Sequence, residues 1–312
     1  DGVSFSVRAG ESLGIVGESG CGKSVTAQSI MRIVPDNGKI TEGEILLKRN
    51  GEFIDLVPLK DEDRTLLDIR GKDIAMIFQE PMTSFSPVYT IGNQIIESVL
   101  LHQDVDKEEA RTIALDVLRK VGMPKPEATI DSYPFNLSGG MRQRAMIAMA
   151  LTCRPSILIA DEPTTAVDVT IQAQVLKLIG RLREELNMAL LLITHDLGVI
   201  AEMVDNVLVM YLGKSVEYAS VDDLFYDPLH PYTKGLLASI PKFGQGAGQD
   251  LKPITGSVPS LYELPKGCKF HPRCPSFMAG VCDAKEPPFV EAKPDHSVAC
   301  FLYTDAEGNI HG

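Results

Sequence analysis

The stretch GESGCGKS, residues 17–24, decides how this chain is read. It fits the pattern G-x-x-x-x-G-K-[ST]. A short apolar run, SLGIV (Ser12–Val16), precedes it and reads as a buried parallel strand. The segment Ser24 to Ile33 follows and reads as a helix. Polyphosphate needs many donors close to the backbone, and Gly17, Gly20 and Gly22 remove the Cβ atoms that would block them. Successive amides from Glu18, Ser19 and Cys21 on to Val25, at the helix start, aim partial positive charge at a β-phosphate. Lys23 reaches the β- and γ-phosphates, and the Ser24 hydroxyl suits Mg²⁺. A plain glycine turn between strand and helix is the bland alternative. The strand before and the helix after favour ATP or GTP.

A second polar centre lies downstream. ILIADEP (Ile157–Pro163) is an apolar strand ending in two acids, which places them at the ligand edge of an open sheet. Asp161 is the Mg²⁺ carboxylate and Glu162 the general base for an attacking water. ITHD (Ile193–Asp196) repeats the design, and His195 is placed to contact a γ-phosphate. Alone, such a histidine is more often structural. LSGGMRQR (Leu137–Arg144) precedes the acidic strand, and Ser138, Gly139 and Gly140 open a helix there. That helix start is a second anion cradle. One site needs one cradle, so two chains are expected to sandwich the nucleotide.

The 312 residues suffice for one large or two moderate domains. A net charge of −12 argues against a nucleic-acid face and fits solubility. No apolar run reaches the ~18 residues that span a bilayer. The chain opens at Asp1 without a basic and apolar leader or a starting Met, and the expectation is a cytoplasmic protein.

Ile74–Phe78 and Ala189–Thr194 read as further buried strands, and Asn50-Gly51 as a hairpin turn. Glu97–Val121, Gly139–Thr152 and Ile171–Leu186 carry helical spacing. The alternation implies a mainly parallel sheet covered by helices. After Pro241 the chain turns Gly- and Pro-rich, which sets a boundary near residue 240.

In motif order and spacing, residues 1 to about 235 resemble the ATP-binding subunit of an ABC transporter. Gly17–Ser24 is similar to its Walker A loop and Ile157–Glu162 to its Walker B strand with catalytic glutamate. Gln79 matches the Q-loop, a Mg²⁺ contact, and Leu137–Met141 the signature. Ala166-Val167-Asp168 matches the D-loop and His195 the switch histidine. Met141 stands where the signature usually has glutamine. DEPTTAVDVTIQAQ (161–174), FQEPMTSFSP (78–87), HPYTKGLLASIP (230–241) and the tail ITGSVPSL, LPKGCKFHPRC and HSVAC resemble the oligopeptide and dipeptide importer subfamily. The resemblance implies an α/β P-loop domain over 1–240, with a mostly parallel sheet, antiparallel β and a helical subdomain at about 80–155. A small irregular C-terminal domain over 241–312 completes it.

The resemblance also implies a site on the cytoplasmic face of the plasma membrane. Its partners are a second, non-identical ATPase, two transmembrane permease subunits and an extracytoplasmic peptide-binding protein. Gln79 and the loop Thr83–Pro87 would signal to the permeases. The alternatives are a nucleic-acid- or ribosome-directed ATPase and an ATP-dependent iron–sulfur sensor.

Four of six cysteines, Cys268, Cys274, Cys282 and Cys300, crowd the tail at intervals of five, seven and seventeen residues. Four thiolates hold one tetrahedral zinc or one cubane. The intervals lack C-x₂₋₄-C knuckles, and the resembling subfamily is associated with a four-iron, four-sulfur cluster. Zinc and free or oxidised thiols stay open. His271 and His296 read as loop residues, and Cys153 as a small core residue.

Overall fold

The computed structural model describes residues 2–35, 37–79, 84–165, 168–240, 254–260 and 262–310. In chain order the elements are β1 (Ser12–Val16), α1 (Lys23–Ile30), β2 (Leu46–Arg49), β3 (Glu52–Asp55), α2 (Arg64–Lys72), β4 (Ile74–Ile77), α3 (Ile91–His102), α4 (Lys107–Lys120), α5 (Pro126–Thr129), α6 (Gly139–Leu151), β5 (Ile157–Asp161) and α7 (Val169–Leu186). They continue with β6 (Ala189–Ile193), α8 (Leu197–Met203), β7 (Asn206–Tyr211), β8 (Lys214–Ser220), α9 (Val221–Tyr226), α10 (Pro231–Ala238), β9 (Val290–Lys293) and β10 (His296–Val298). The chain divides into two compact units. One takes residues 1–6, 13–23 and 194–312, the other 7–12 and 24–193.

The second unit holds the parallel strands β4, β5 and β6, with Ile74 facing Ile157 and Asp161 facing Ile193 across the ladder. These strands are almost wholly apolar because parallel strands are buried on both faces. Between β4 and β5 the chain forms α3 to α6. Its helices start where the sequence offers caps. Asp106 and Glu109 form a reciprocal capping box on α4, and Thr90 caps α3. The Asn50-Gly51 turn joins β2 to β3 with both residues at positive φ, as a two-residue hairpin requires.

In the first unit β1 runs parallel to β7, while β7, β8, β10 and β9 pair antiparallel in that order. The alternation of strands and helices does not announce β7 to β10, which make this sheet mixed. Leu212 and Gly213, both at positive φ, form the tight β7–β8 turn. The expected boundary near residue 240 falls inside this unit, since described residues on both sides belong to it. Residues 241–253 lie outside the described residues.

A buried carboxylate ties the tail to β8. Glu217, 0% exposed, accepts the backbone N–H groups of Leu229 at 2.6 Å and His230 at 2.9 Å. His296 Nε2 stands 2.8 Å from the same carboxylate. His230 caps α10 by accepting Tyr232 N–H at Nδ1, 3.0 Å away. Burial lowers its pKa to about 4, against a smaller raising effect of Glu217. As pH falls below ~6.5 the unfolded chain binds a proton on this ring and the folded chain does not, until pH nears 4. Stability is therefore full above pH 6.5 and declines by about 3 kcal/mol between 6.5 and 4. Urea denaturation across that range checks this: His230→Asn, which keeps a capping acceptor, should flatten that share of the fall.

Candidate functional site

The phosphate loop is packed closely from behind. A Cβ on Gly17 would stand 2.3 Å from the Met210 carbonyl oxygen and 2.7 Å from Cys21 Sγ, so only glycine fits. Gly20 and Gly22 have φ of 80° and 100°, which favour glycine. Gly213 N–H, in the β7–β8 turn, donates to Cys21 O at 2.9 Å. Lys23 is 6% exposed, and its Nζ donates to Gly17 O at 2.8 Å and Glu18 O at 3.2 Å. Ser19 and Gly20 remain exposed at the loop's tip, and Ser24 and Val25 open α1. Cys21 is buried, and burial pushes its thiol pKa up. That agrees with a backbone role alone.

His195 belongs to the same unit. With Val16, Gly17, Glu18, Leu197 and Leu236 it lines a cavity of about 130 Å³. A larger hollow of about 710 Å³ in the other unit, beside Asp116, Cys153 and Leu186, carries none of the expected site residues.

The second unit assembles the acidic centre. Asp161, 3% exposed, ends β5 and accepts the Ser24 hydroxyl at 3.1 Å. A serine hydroxyl beside a carboxylate is the hard-oxygen pair Mg²⁺ prefers, so Ser24 and Asp161 fit that ion, while Gln79 gives its amide nitrogen to Glu162. Glu162 follows with φ of 44°, a left-handed backbone that costs a non-glycine residue ~1–3 kcal/mol. Its N–H is held by Ile193 O at 2.9 Å. Its carboxylate accepts Gln79 Nε2 at 3.0 Å and the Thr165 hydroxyl at 2.9 Å. Thr165 escapes sequence reading because a hydroxyl three residues on carries no motif. Gln143 of α6 donates to Pro163 O, next to Glu162.

Ser138 caps α6 by accepting Met141 N–H at 3.3 Å. Nothing lies within 4 Å of a Cβ built on Gly139, whereas one on Gly140 would meet Ile171 at 3.3 Å. The cradle therefore has an open face and a packed back. Met141 enters the cap only through its backbone, so the missing glutamine leaves the helix start intact. Asp168 caps α7 through Ile171 N–H at 2.9 Å. Ala166 and Val167 lie outside the described residues, as do Glu80 to Thr83. Ser86 beyond them is held by the Gln94 amide at 2.8 and 3.1 Å.

Among the described residues no three His, Cys, Asp or Glu side chains are grouped as ligands of a metal ion. The tail cysteines therefore form no ready ligand set for one tetrahedral zinc. The four thiols do share a neighbourhood: Cys268, Cys274 and Cys282 each act electrostatically on Cys300. Burial pushes the pKa of Cys268 up to about 11 and of Cys300 up to about 12. His271 Nδ1 lies 2.9 Å from Cys268 O, whereas His296, expected in a loop, opens β10 and is buried against Glu217. Cys153 is half-buried at the end of α6, with Sγ 3.9 Å from Ser98 O.

A profile of the ABC transporter family matches residues 1–165, and one of the oligopeptide/dipeptide transporter C-terminal region matches residues 216–282. The chain is 53% identical over 301 residues to the probable peptide ABC transporter ATP-binding protein y4tR of Sinorhizobium fredii, covering 96% of this chain and 88% of that one. It is 52% identical to the oligopeptide transport ATP-binding protein AppD of Bacillus subtilis, covering 98% and 91%. Among solved structures, the dimeric structure of MJ0796, a bacterial ABC transporter cassette, aligns with a TM-score of 0.60 at 28% identity, over 70% of this chain and 88% of that one.

The packing behind the loop is open to test. Gly17→Ala must displace either Met210 or the loop itself, and should weaken binding of a fluorescent ATP analogue roughly tenfold or more. Affinity within twofold of wild type would contradict the close approach.

Proposed function

This chain belongs to the ABC transporter family of ATP-binding proteins, in its oligopeptide/dipeptide branch, and we propose that it powers import of di- and oligopeptides across a membrane. The match of residues 216–282 to the oligopeptide/dipeptide transporter C-terminal region carries the cargo reading. Peptide-transport names among relatives that align along nearly the whole chain support it.

Nucleotide is enclosed between Gly17–Val25 of one chain and Ser138–Gly140 of a second ATPase. The open face of Gly139 supports that role, since only a bare Cα lets backbone approach a phosphate closely. Ser24, Asp161 and Gln79 hold Mg²⁺, which when bound neutralises charge on the transferred phosphoryl group. Glu162 takes the proton of the attacking water, with Gln79 and Thr165 fixing its carboxylate. His195 faces the γ-phosphate, and Asp168 sits at the paired chain. Hydrolysis loosens the pair, and the segment after Gln79 passes that change to the permeases.

Among the described residues no helix is long and apolar enough to cross a membrane. The path is assigned to two permease subunits, with this chain at their cytoplasmic face and an external binding protein delivering peptide. The partner ATPase is a related, non-identical chain. A nucleic-acid- or ribosome-directed role runs against the net charge of −12.

In the tail we carry forward a four-iron, four-sulfur cluster on Cys268, Cys274, Cys282 and Cys300. Their wide intervals, without a short C-x₂₋₄-C knuckle, suit a larger cluster better than one ion.

The test is reconstitution with the permease and binding-protein products of neighbouring genes, scored by ATP-dependent peptide uptake. Glu162→Gln should retain ATP binding and lose hydrolysis and uptake about 10²- to 10⁴-fold. Peptide uptake that survives this substitution, or no uptake of any peptide, would overturn the reading. For the tail, anaerobically purified protein should be brown; colourless protein free of iron would remove the cluster.

A further inference from the structure

Glu18 is the second residue of the phosphate loop, and each of its polar groups is taken. Its N–H donates to Tyr232 Oη at 2.9 Å, and its carbonyl accepts Lys23 Nζ at 3.2 Å. Its carboxylate receives a two-pronged grip from Arg273, with Nη1 to Oε2 at 2.6 Å and Nη2 to Oε1 at 3.0 Å. The partners are 255 residues apart in sequence, and both belong to the first unit.

The arginine is held as completely as the glutamate. Its side chain is 4% exposed. Nε donates to Thr255 O at 3.2 Å, and Nη1 also donates to Tyr211 Oη at 3.3 Å. Phe270, three residues earlier, is buried against Tyr211 and Tyr232, each 5.3 Å away between ring centroids. The turn from Cys268 to Cys274 is thereby set on the back of the phosphate loop.

Stability does not explain this pair. Arg273 is buried while Glu18 keeps 27% of its side chain exposed, and taking such a pair out of water gains little on balance compared with apolar residues of the same volume, so the bidentate grip points to another use. The use lies in what surrounds Glu18. A carboxylate in a loop that receives a triphosphate repels it unless its charge is cancelled, and beside a protein surface that repulsion is screened less than in bulk water. The fork geometry also fixes a plane, which a lysine cannot do.

We propose that Arg273 of the C-terminal region is a positioning residue for nucleotide: it cancels the charge of Glu18 and holds the leading arm of the phosphate loop in its receptive form. The inference rests on Gly17–Ser24 as the nucleotide loop and is independent of cargo and of any tail metal. By this route the thiol-bearing turn and the nucleotide site are one mechanical piece. The sequence HPRC carries the arginine beside a cysteine, and that proximity draws attention to the thiol instead.

Equilibrium displacement of a fluorescent ATP analogue from the purified full-length chain tests the proposal, with steady-state hydrolysis alongside. Arg273→Ala should weaken ATP binding about 10- to 50-fold, mostly in KM, with kcat changed by less than about threefold. Arg273→Lys, which keeps the charge without the fork, should fall between. In Arg273→Ala the deficit should shrink at high salt, because the exposed Glu18 charge is screened. The Glu18→Ala/Arg273→Ala double variant should regain at least about fivefold of the loss, a rescue that a merely structural arginine would not give. Wild-type affinity in Arg273→Ala, or a double variant as weak as the single one, overturns the proposal. If Arg273→Ala does not fold, Arg273→Lys decides: affinity equal to wild type overturns it. A wild-type chain that bound no ATP would sink the nucleotide-loop reading itself, a different failure.

Discussion

A phosphate loop works only if its amides face outward, so everything that fixes it must act from behind. In this chain the back of the loop is met by backbone: the Met210 carbonyl against Gly17 and the Gly213 amide on the Cys21 carbonyl. The β7–β8 hairpin exists in the position those contacts need, and its two positive-φ turn residues deliver Gly213 there. The buried Glu217 carboxylate then fastens β8 to the start of α10 and to β10. α10 in turn supplies Tyr232, whose hydroxyl accepts the Glu18 amide. A demand made by eight residues near the amino terminus is met by segments up to 255 residues away.

The acidic centre shows a different economy. Glu162 sits in a left-handed backbone that its side chain disfavours, and hydrogen bonds to its backbone and its carboxylate hold it there. Such strain survives where the surroundings over-determine a conformation, and it gathers at sites that must keep one group in one place. The Ser24–Asp161 bond draws the end of β5 to the helix that follows the loop, so hydroxyl and carboxylate are already neighbours before a cation arrives.

Much of this was legible locally. Gly17–Ser24 declares itself by spacing, β5 and β6 by unbroken apolar runs, and Ser138–Gly140 by the helix start they open. What stayed hidden is non-local. Strands β8 to β10 pair across long stretches of chain, and no periodicity marks a partner. Arg273 and Thr165 act through neighbours chosen by the fold. The cysteine spacing announces shared chemistry but fixes no distances, which is why a ligand set for one ion could be expected and not found among the described residues. A Gly- and Pro-rich stretch reads as a boundary, yet the sheet continues past it through β10 and β8.

The division of the chain has a consequence for its birth. Residues 24–193 make up most of one unit, while β1 and the phosphate loop belong with residues from 194 onward. At bacterial translation speeds roughly ten to thirty seconds pass between their emergence. During that interval the glycine-rich arm has left the ribosome without β7, Tyr232 or Arg273 to rest on. The supports of the phosphate loop are the last part to be made, and a nascent chain truncated before them would leave the loop without its backing.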